Sequence, residues 1–167
     1  MKELVRFVVN GDPVEVAVEA GTTLLECLRE ELALTGSKQG CDKGDSGACT
    51  VLLDGRAVLA CLTLAHAVAG REVTTIEGLA RAGQLHPLQE AFDTEGAAQC
   101  GFCTPGMIMS AAALVEENVQ PTREEVRVAL SGNLCRCTGY TKILDAVAKA
   151  AAELQAARGA PGTGRTR

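Results

Sequence analysis

Residues 99–109 read QCGFCTPGMIM and residues 132–140 read GNLCRCTGY. The first stretch carries Cys100 and Cys103 as a C-x2-C pair. The second carries Cys135 and Cys137 as a tighter C-x-C pair, with 31 residues between the two pairs. Four thiols so arranged meet at one centre only if the chain between them folds back. That chain is patterned to do so: Met107 to Glu117 has helical periodicity, Pro121 interrupts it, and Arg123 to Leu130 is helical again. A helical hairpin returns the second pair to the first and makes a metal centre of them.

Composition bounds the rest. The chain has 167 residues, enough for one domain or two small ones, and is 47% hydrophobic but only 2% aromatic. Ala, Val and Leu must therefore fill modest cores, and metal sites would add stability that burial alone does not supply. A net charge of −5 gives no reason to expect nucleic acid or an anionic membrane as partner. No apolar run is long enough for a secretory segment or a membrane span. The expected compartment is the reducing cytoplasm, where the eight cysteines bind metal more readily than they form disulfides.

Upstream, Leu4–Val9 and Val14–Val18 flank Asn10-Gly11-Asp12-Pro13, which predicts a hairpin. Thr22 or Thr23 starts a helix expected to reach Leu34, with Cys27 on its apolar face as a small core residue. A Gly-rich loop follows, KQGCDKGDSGACTVLLDG, carrying Cys41 and Cys49, with Cys61 beyond it. Its glycines let the backbone wrap tightly and aim N–H groups inward, where they stabilise negative charge. A second hairpin at Val51–Ala60, a short helix at Leu62–Val68 and a strand at Val73–Ile76 complete this half. His66 reads as a core or surface histidine, and His86, before Pro87, as a linker residue.

Downstream of a boundary near Gly78, the chain reads as helices packed into a four-helix bundle. Thr104-Pro105-Gly106 opens a helix whose N-terminus lies near Cys100 and Cys103, where its amides favour negative charge. Thr122 with Glu125 is a capping box, and Tyr140–Leu154 is a final Ala-rich helix. The remainder from Arg158 on is too rich in Gly and Pro to pack and is expected to stay disordered.

The thiol pattern reads as iron–sulfur chemistry. Zinc is the rival, but C-x-C is unusual in zinc sites and zinc leaves the upstream loop unexplained. That loop resembles a plant-type ferredoxin, whose spacing is C-x4-C-x2-C with a distant fourth Cys. With QCGFCTPG and GNLCRCTGY added, the chain from residue 1 to about 155 resembles the small iron–sulfur subunit of the xanthine oxidase family of molybdenum hydroxylases, and within it the 4-hydroxybenzoyl-CoA reductase type. The resemblance implies an α+β chain: a ferredoxin-like (β-grasp) 2Fe–2S domain over 1–77, an all-α four-helix-bundle 2Fe–2S domain over 78–157, and a tail over 158–167. It implies two 2Fe–2S clusters, one held at Cys41, Ser46, Cys49 and Cys61, the other at Cys100, Cys103, Cys135 and Cys137. It also places Gln99 where relatives bond the pterin; the plainer reading of that residue is an amide capping a helix end.

Ser46 departs from the pattern, because the family has a Cys there. Three readings stand. Ser46 ligates through a deprotonated oxygen, or the cluster is labile or incomplete, or the serine was introduced into the chain. Asp45 is a further oxygen donor beside it.

No dinucleotide fingerprint or acid–base constellation is present, so the chain is not a catalyst alone. The resemblance implies an electron wire joining a large molybdopterin-binding subunit to a medium FAD-binding subunit, in a heterotrimer or a dimer of heterotrimers. The alternative is a free-standing redox carrier or sensor, against which the helical half argues, since a simple ferredoxin needs none.

Overall fold

The computed structural model describes residues 1–159. Two hydrophobic cores organise it, one under a mixed β-sheet and one among helices.

The sheet begins with β1 (Glu3–Val9) and β2 (Asp12–Val18), paired antiparallel with Glu3 opposite Val18 and Val9 opposite Asp12. Asn10 and Gly11 both take positive φ, 54° and 91°, as a two-residue hairpin requires. Val5, Phe7 and Val9 alternate with solvent-facing residues and are buried, so this sheet face is one wall of the first core. β3 (Thr50–Leu53) and β4 (Arg56–Leu59) form the second hairpin, and β5 (Glu72–Thr74) runs parallel to β1 and antiparallel to β3. The strand order is β2-β1-β5-β3-β4.

The expected helix to Leu34 is cut short. Thr23 and Glu26 form a capping box that starts α1 (Leu24–Glu26), but the chain then widens into a π-helical turn over Cys27–Glu31. Leu32 N donates to Cys27 O at 3.1 Å, and Ala33 leaves the helix at φ 55°. The contacts that accompany this reach beyond the helix: the Arg29 guanidinium donates to Thr35 O and Ser37 O, at 3.0 and 2.8 Å, and folds the next segment down. Cys27 is fully buried in the first core with Leu24 and Leu28. The short helix expected at 62–68 is instead two 3-10 turns, Ala60–Leu62 and Ala65–Val68. The intervening Thr63 O is taken by Leu24 N at 2.7 Å, which a continuous helix would forbid.

The second core is built by α2 (Pro87–Thr94), α3 (Thr104–Glu117), α4 (Arg123–Ala129) and α5 (Thr141–Gly159). His86 caps α2 through Nδ1, which accepts from Leu88 N at 3.2 Å. Thr122 and Glu125 cap α4 as the sequence predicts. Each of Leu88, Phe92, Met107 and Ile143 is fully buried or nearly so, worth about 2 kcal/mol apiece by the usual area relation. α3 is buried on nearly every side, because it lies between the other helices and the sheet. Leu52 of β3 points into this second core, while its neighbours Val51 and Leu53 point into the first. α5 runs past Leu154, and Arg158, expected in a disordered tail, is helical and donates to Glu116 Oε2 at 2.6 Å. The rest of that tail, 160–167, lies outside the described residues.

Candidate metal centres

The first site is a loop that closes on itself. Lys38 N donates to Ala48 O at 3.1 Å, and Gly44 and Gly47 take φ of 86° and 69°. Within it the donors meet two by two. Ser46 N donates to Cys41 Sγ at 3.3 Å, and Ala48 N donates to Ser46 Oγ at 3.4 Å. The Ser46 hydroxyl, then backbone amides of the loop, pull the Cys41 thiol down to about 6. Cys49 and Cys61 form the other pair, and burial, with the neighbouring Cys49, pushes the Cys61 thiol up to about 11. Asp45 does not join them; it is exposed and faces Lys43 Nζ at 3.0 Å.

The second site is gathered from two segments. Cys100 and Cys103 precede α3, with Cys103 at its N-cap and Gly101 at φ 80° turning the chain between them. Cys135 and Cys137 arrive after α4. Cys103 is the neighbour of Cys135, and Cys100 that of Cys137. Burial, then the Cys135 neighbour, pushes the Cys103 thiol up to about 12. Burial also pushes Cys135 up, but hydrogen bonds from the Thr138 hydroxyl and amide outweigh it and leave that thiol lowered. The contact with Cys100 raises Cys137. Cys100 and Cys137 are exposed, flanked by Phe102 and Leu134 at 47% and 57% exposure. Gln99 is exposed beside Cys100, not folded into a helix end.

Three residues that the sequence did not single out hold these loops. The Tyr140 hydroxyl accepts from Cys135 N at 2.8 Å and donates to Asn133 O at 3.1 Å, pinning the turn that carries the C-x-C pair. Thr138 Oγ1 lies 3.1 Å from Cys135 Sγ and accepts from Tyr140 N at 3.2 Å. Asn133, 4% exposed, joins the two sites. Its Nδ2 donates to Gly47 O at 2.9 Å and its Oδ1 accepts from Ser110 Oγ at 2.7 Å. Leu134 N donates to Ser46 O at 2.9 Å. The only sequence signals were the single Tyr beside the C-x-C pair and an Asn where a helix stop was enough explanation.

Among the described residues, no three His, Cys, Asp or Glu side chains gather as around a single ion. The donors gather in twos, the arrangement of a 2Fe–2S cluster with two protein ligands on each iron. The donor set fits that group: in each crowded thiol pair one proton is held tightly, so full ionisation waits for bound cations to balance the charge. Neither histidine joins. His66 Nε2 lies 3.3 Å from Glu3 Oε2, and His86 is occupied as a cap.

Residues 7–80 match the family model described as 2Fe-2S iron-sulfur cluster binding domain, and residues 75–148 match that of the [2Fe-2S] binding domain. The chain is 55% identical to the nicotine 6-hydroxylase small subunit of Paenarthrobacter nicotinovorans, over 87% of this chain and 88% of that one. It is 49% identical to the nicotinate dehydrogenase small FeS subunit of Eubacterium barkeri, over 83% of this chain and 88% of that one. Among solved structures, a chain of quinoline 2-oxidoreductase from Pseudomonas putida 86 superposes with a TM-score of 0.90 at 44% identity, covering 95% of this chain and 98% of that one. The paired thiols, the two matched domains and these full-length relatives agree: the chain belongs to the small iron–sulfur subunits of the xanthine oxidase family of molybdenum hydroxylases.

Proposed function

We propose that this chain relays electrons from a large molybdopterin-binding subunit to a medium FAD-binding subunit, or in the reverse direction, with Cys100, Cys103, Cys135 and Cys137 holding the cluster on the molybdopterin side. A bound 2Fe–2S cluster takes up and releases one electron at a time. The chain itself binds, orients and shields these groups; substrate chemistry belongs to the large subunit. The functional partition is taken as 1–77 for the ferredoxin-like unit and 78–157 for the helical unit.

The observation that carries this reading is the contact between the sites. Leu134, next to Cys135, donates its amide to the carbonyl of Ser46 in the other loop, so the two centres share a wall. A relay needs two centres side by side, with one of them open at the surface. The exposed Cys100 and Cys137, rimmed by the apolar Phe102 and Leu134, supply that opening, and Gln99, exposed beside Cys100, is the residue assigned to the pterin in this reading.

Affinity purification of the chain from its native source tests the assembly: two larger subunits bearing molybdopterin and FAD are expected, in a heterotrimer or its dimer. A lone monomer with full iron content would favour a free-standing carrier. Within the complex, Cys137→Ala should remove one cluster's iron, its magnetic coupling to molybdenum, and turnover with a flavin-side acceptor. Turnover that survives that loss sinks the relay.

A further inference from the structure

The first site has three thiols where the second has four, and the fold nonetheless keeps a fourth donor position. We propose that Ser46 Oγ is the fourth protein ligand of the first 2Fe–2S site, sharing one iron with Cys41, while Cys49 and Cys61 hold the other iron. The proposal rests on the reading of this loop as a 2Fe–2S site.

The loop geometry makes the assignment. Ser46 stands five residues after Cys41 and three before Cys49. Its side chain is half-buried like the Cys41 thiol, and its own amide points at Cys41 Sγ from 3.3 Å. Ala48 N reaches Ser46 Oγ at 3.4 Å, so a second amide is aimed at the oxygen as amides are aimed at cluster ligands. The packing is close as well: a Cβ on Gly40 would stand 2.7 Å from Ser46 Oγ and crowd the oxygen where it now lies. The competing donors are elsewhere. Asp45 is exposed and paired with Lys43 at 3.0 Å, and Cys27 is sealed in the first core at 0% exposure.

The chemistry follows from the donor atom. On binding, the serine hydroxyl gives its proton to solvent, as the three thiols do, so the ligand set keeps the charge of four thiolates. An alkoxide oxygen is harder than a thiolate sulfur and favours ferric over ferrous iron. An iron held by Cys41 and Ser46 would thus be the harder of the two to reduce. Cys49 and Cys61, the two most buried donors of the site, would hold the iron that is easier to reduce.

The test uses the complete complex carrying wild-type chain, Ser46→Cys or Ser46→Ala. Iron analysis, an EPR-monitored redox titration, and resonance Raman with 18O-labelled serine are the readouts. Wild type and Ser46→Cys are expected to hold the iron of two clusters. The first cluster should titrate at higher potential in Ser46→Cys, with the second unmoved, and an iron–oxygen band in wild type should shift with labelled serine but not with labelled water. Ser46→Ala should lose that band together with the first cluster's characteristic potential. The proposal is overturned if wild type lacks the first cluster's iron, if Ser46→Ala titrates like wild type, or if the band follows labelled water. Each of those leaves the second cluster's signal in place and with it the relay. Wild-type complex without either cluster signal would overturn both.

Discussion

The loop carrying Cys41, Ser46 and Cys49 closes between Lys38 and Ala48, whereas the helical site takes Cys100 and Cys103 from one end of a hairpin and Cys135 and Cys137 from the other. Chain length is not what separates them. Closing a loop twice as long costs only about 0.6 kcal/mol more. The difference is in what orients the donors. In the first site, neighbouring backbone amides within the loop do it, with two of the three thiols buried. In the second, Tyr140, Thr138 and the end of α3 do it, and two of the four thiols are open to a partner. A locally built centre keeps its shape through its own backbone; a centre built by tertiary contacts can present an edge to another protein. The two are nevertheless not independent, because Asn133 and Leu134 tie the second loop to the first.

That tie is the first place to break the comparison. Asn133→Ala leaves the buried Ser110 hydroxyl without its acceptor and removes one of the three donors to the Gly47 carbonyl, which keeps Thr50 N and Oγ1, and should cost about 3 kcal/mol in denaturant unfolding of the chain. Iron should become labile at both sites. Loss confined to the helical site would show that the ferredoxin-like loop stands without its neighbour.

Gly106→Ala attacks the same contact from α3. Its Cβ would run into the Gly47 carbonyl, which is backbone and cannot swing away. A loss of about 2 kcal/mol is expected, read as a lower unfolding midpoint with every Asn133 partner still present. Unchanged stability would mean that α3 slides on the sheet, and the helical site would then be less constrained than described.

Thr122→Ala removes the capping box of α4 and should cost about 1 kcal/mol. Hydrogen exchange should quicken in α4 and at the C-x-C turn and stay unchanged in the Cys41 loop. Equal quickening in both would erase the distinction between local and tertiary construction.

The smallest effect concerns pH. Burial, then the charge of Arg81, lowers the His86 pKa from 6.5, against a weaker opposing pull from Glu116. Its Nδ1 must also stay unprotonated to accept from Leu88 N. A folded pKa below the unfolded one means that the unfolded state takes up the proton first. The cap's contribution is therefore complete above pH 6.5 and is lost as pH falls through the folded value. Thermal unfolding of wild type should show this acid-side decline, and His86→Asn, which caps without titrating there, should flatten it.

The cysteine spacing, with the family resemblance it carries, singled out the thiols that the fold brings into pairs, and the apolar face of its helix left Cys27 in the core where it is found. Both hairpins and the α4 cap were equally legible, since turn residues and capping boxes act within a few positions. What escaped depended on contacts outside the reach of turn and cap patterns, some between neighbouring turns and some between distant segments. α1 widens where Arg29 holds the loop that follows it, and the 3-10 turns form because Leu24 claims the carbonyl of Thr63. The pairing of Ser46 with Cys41, the clamp of Asn133 on Gly47 and the pin of Tyr140 under Cys135 belong to the same class. Thiol spacing and turn chemistry are local properties of the chain and so singled out the paired thiols and the turns that carry them. The direction in which those donors face is set by hydrogen bonds that no local pattern announces, from Tyr140 on Cys135 to Asn133 on Gly47, and only the tertiary structure decided it.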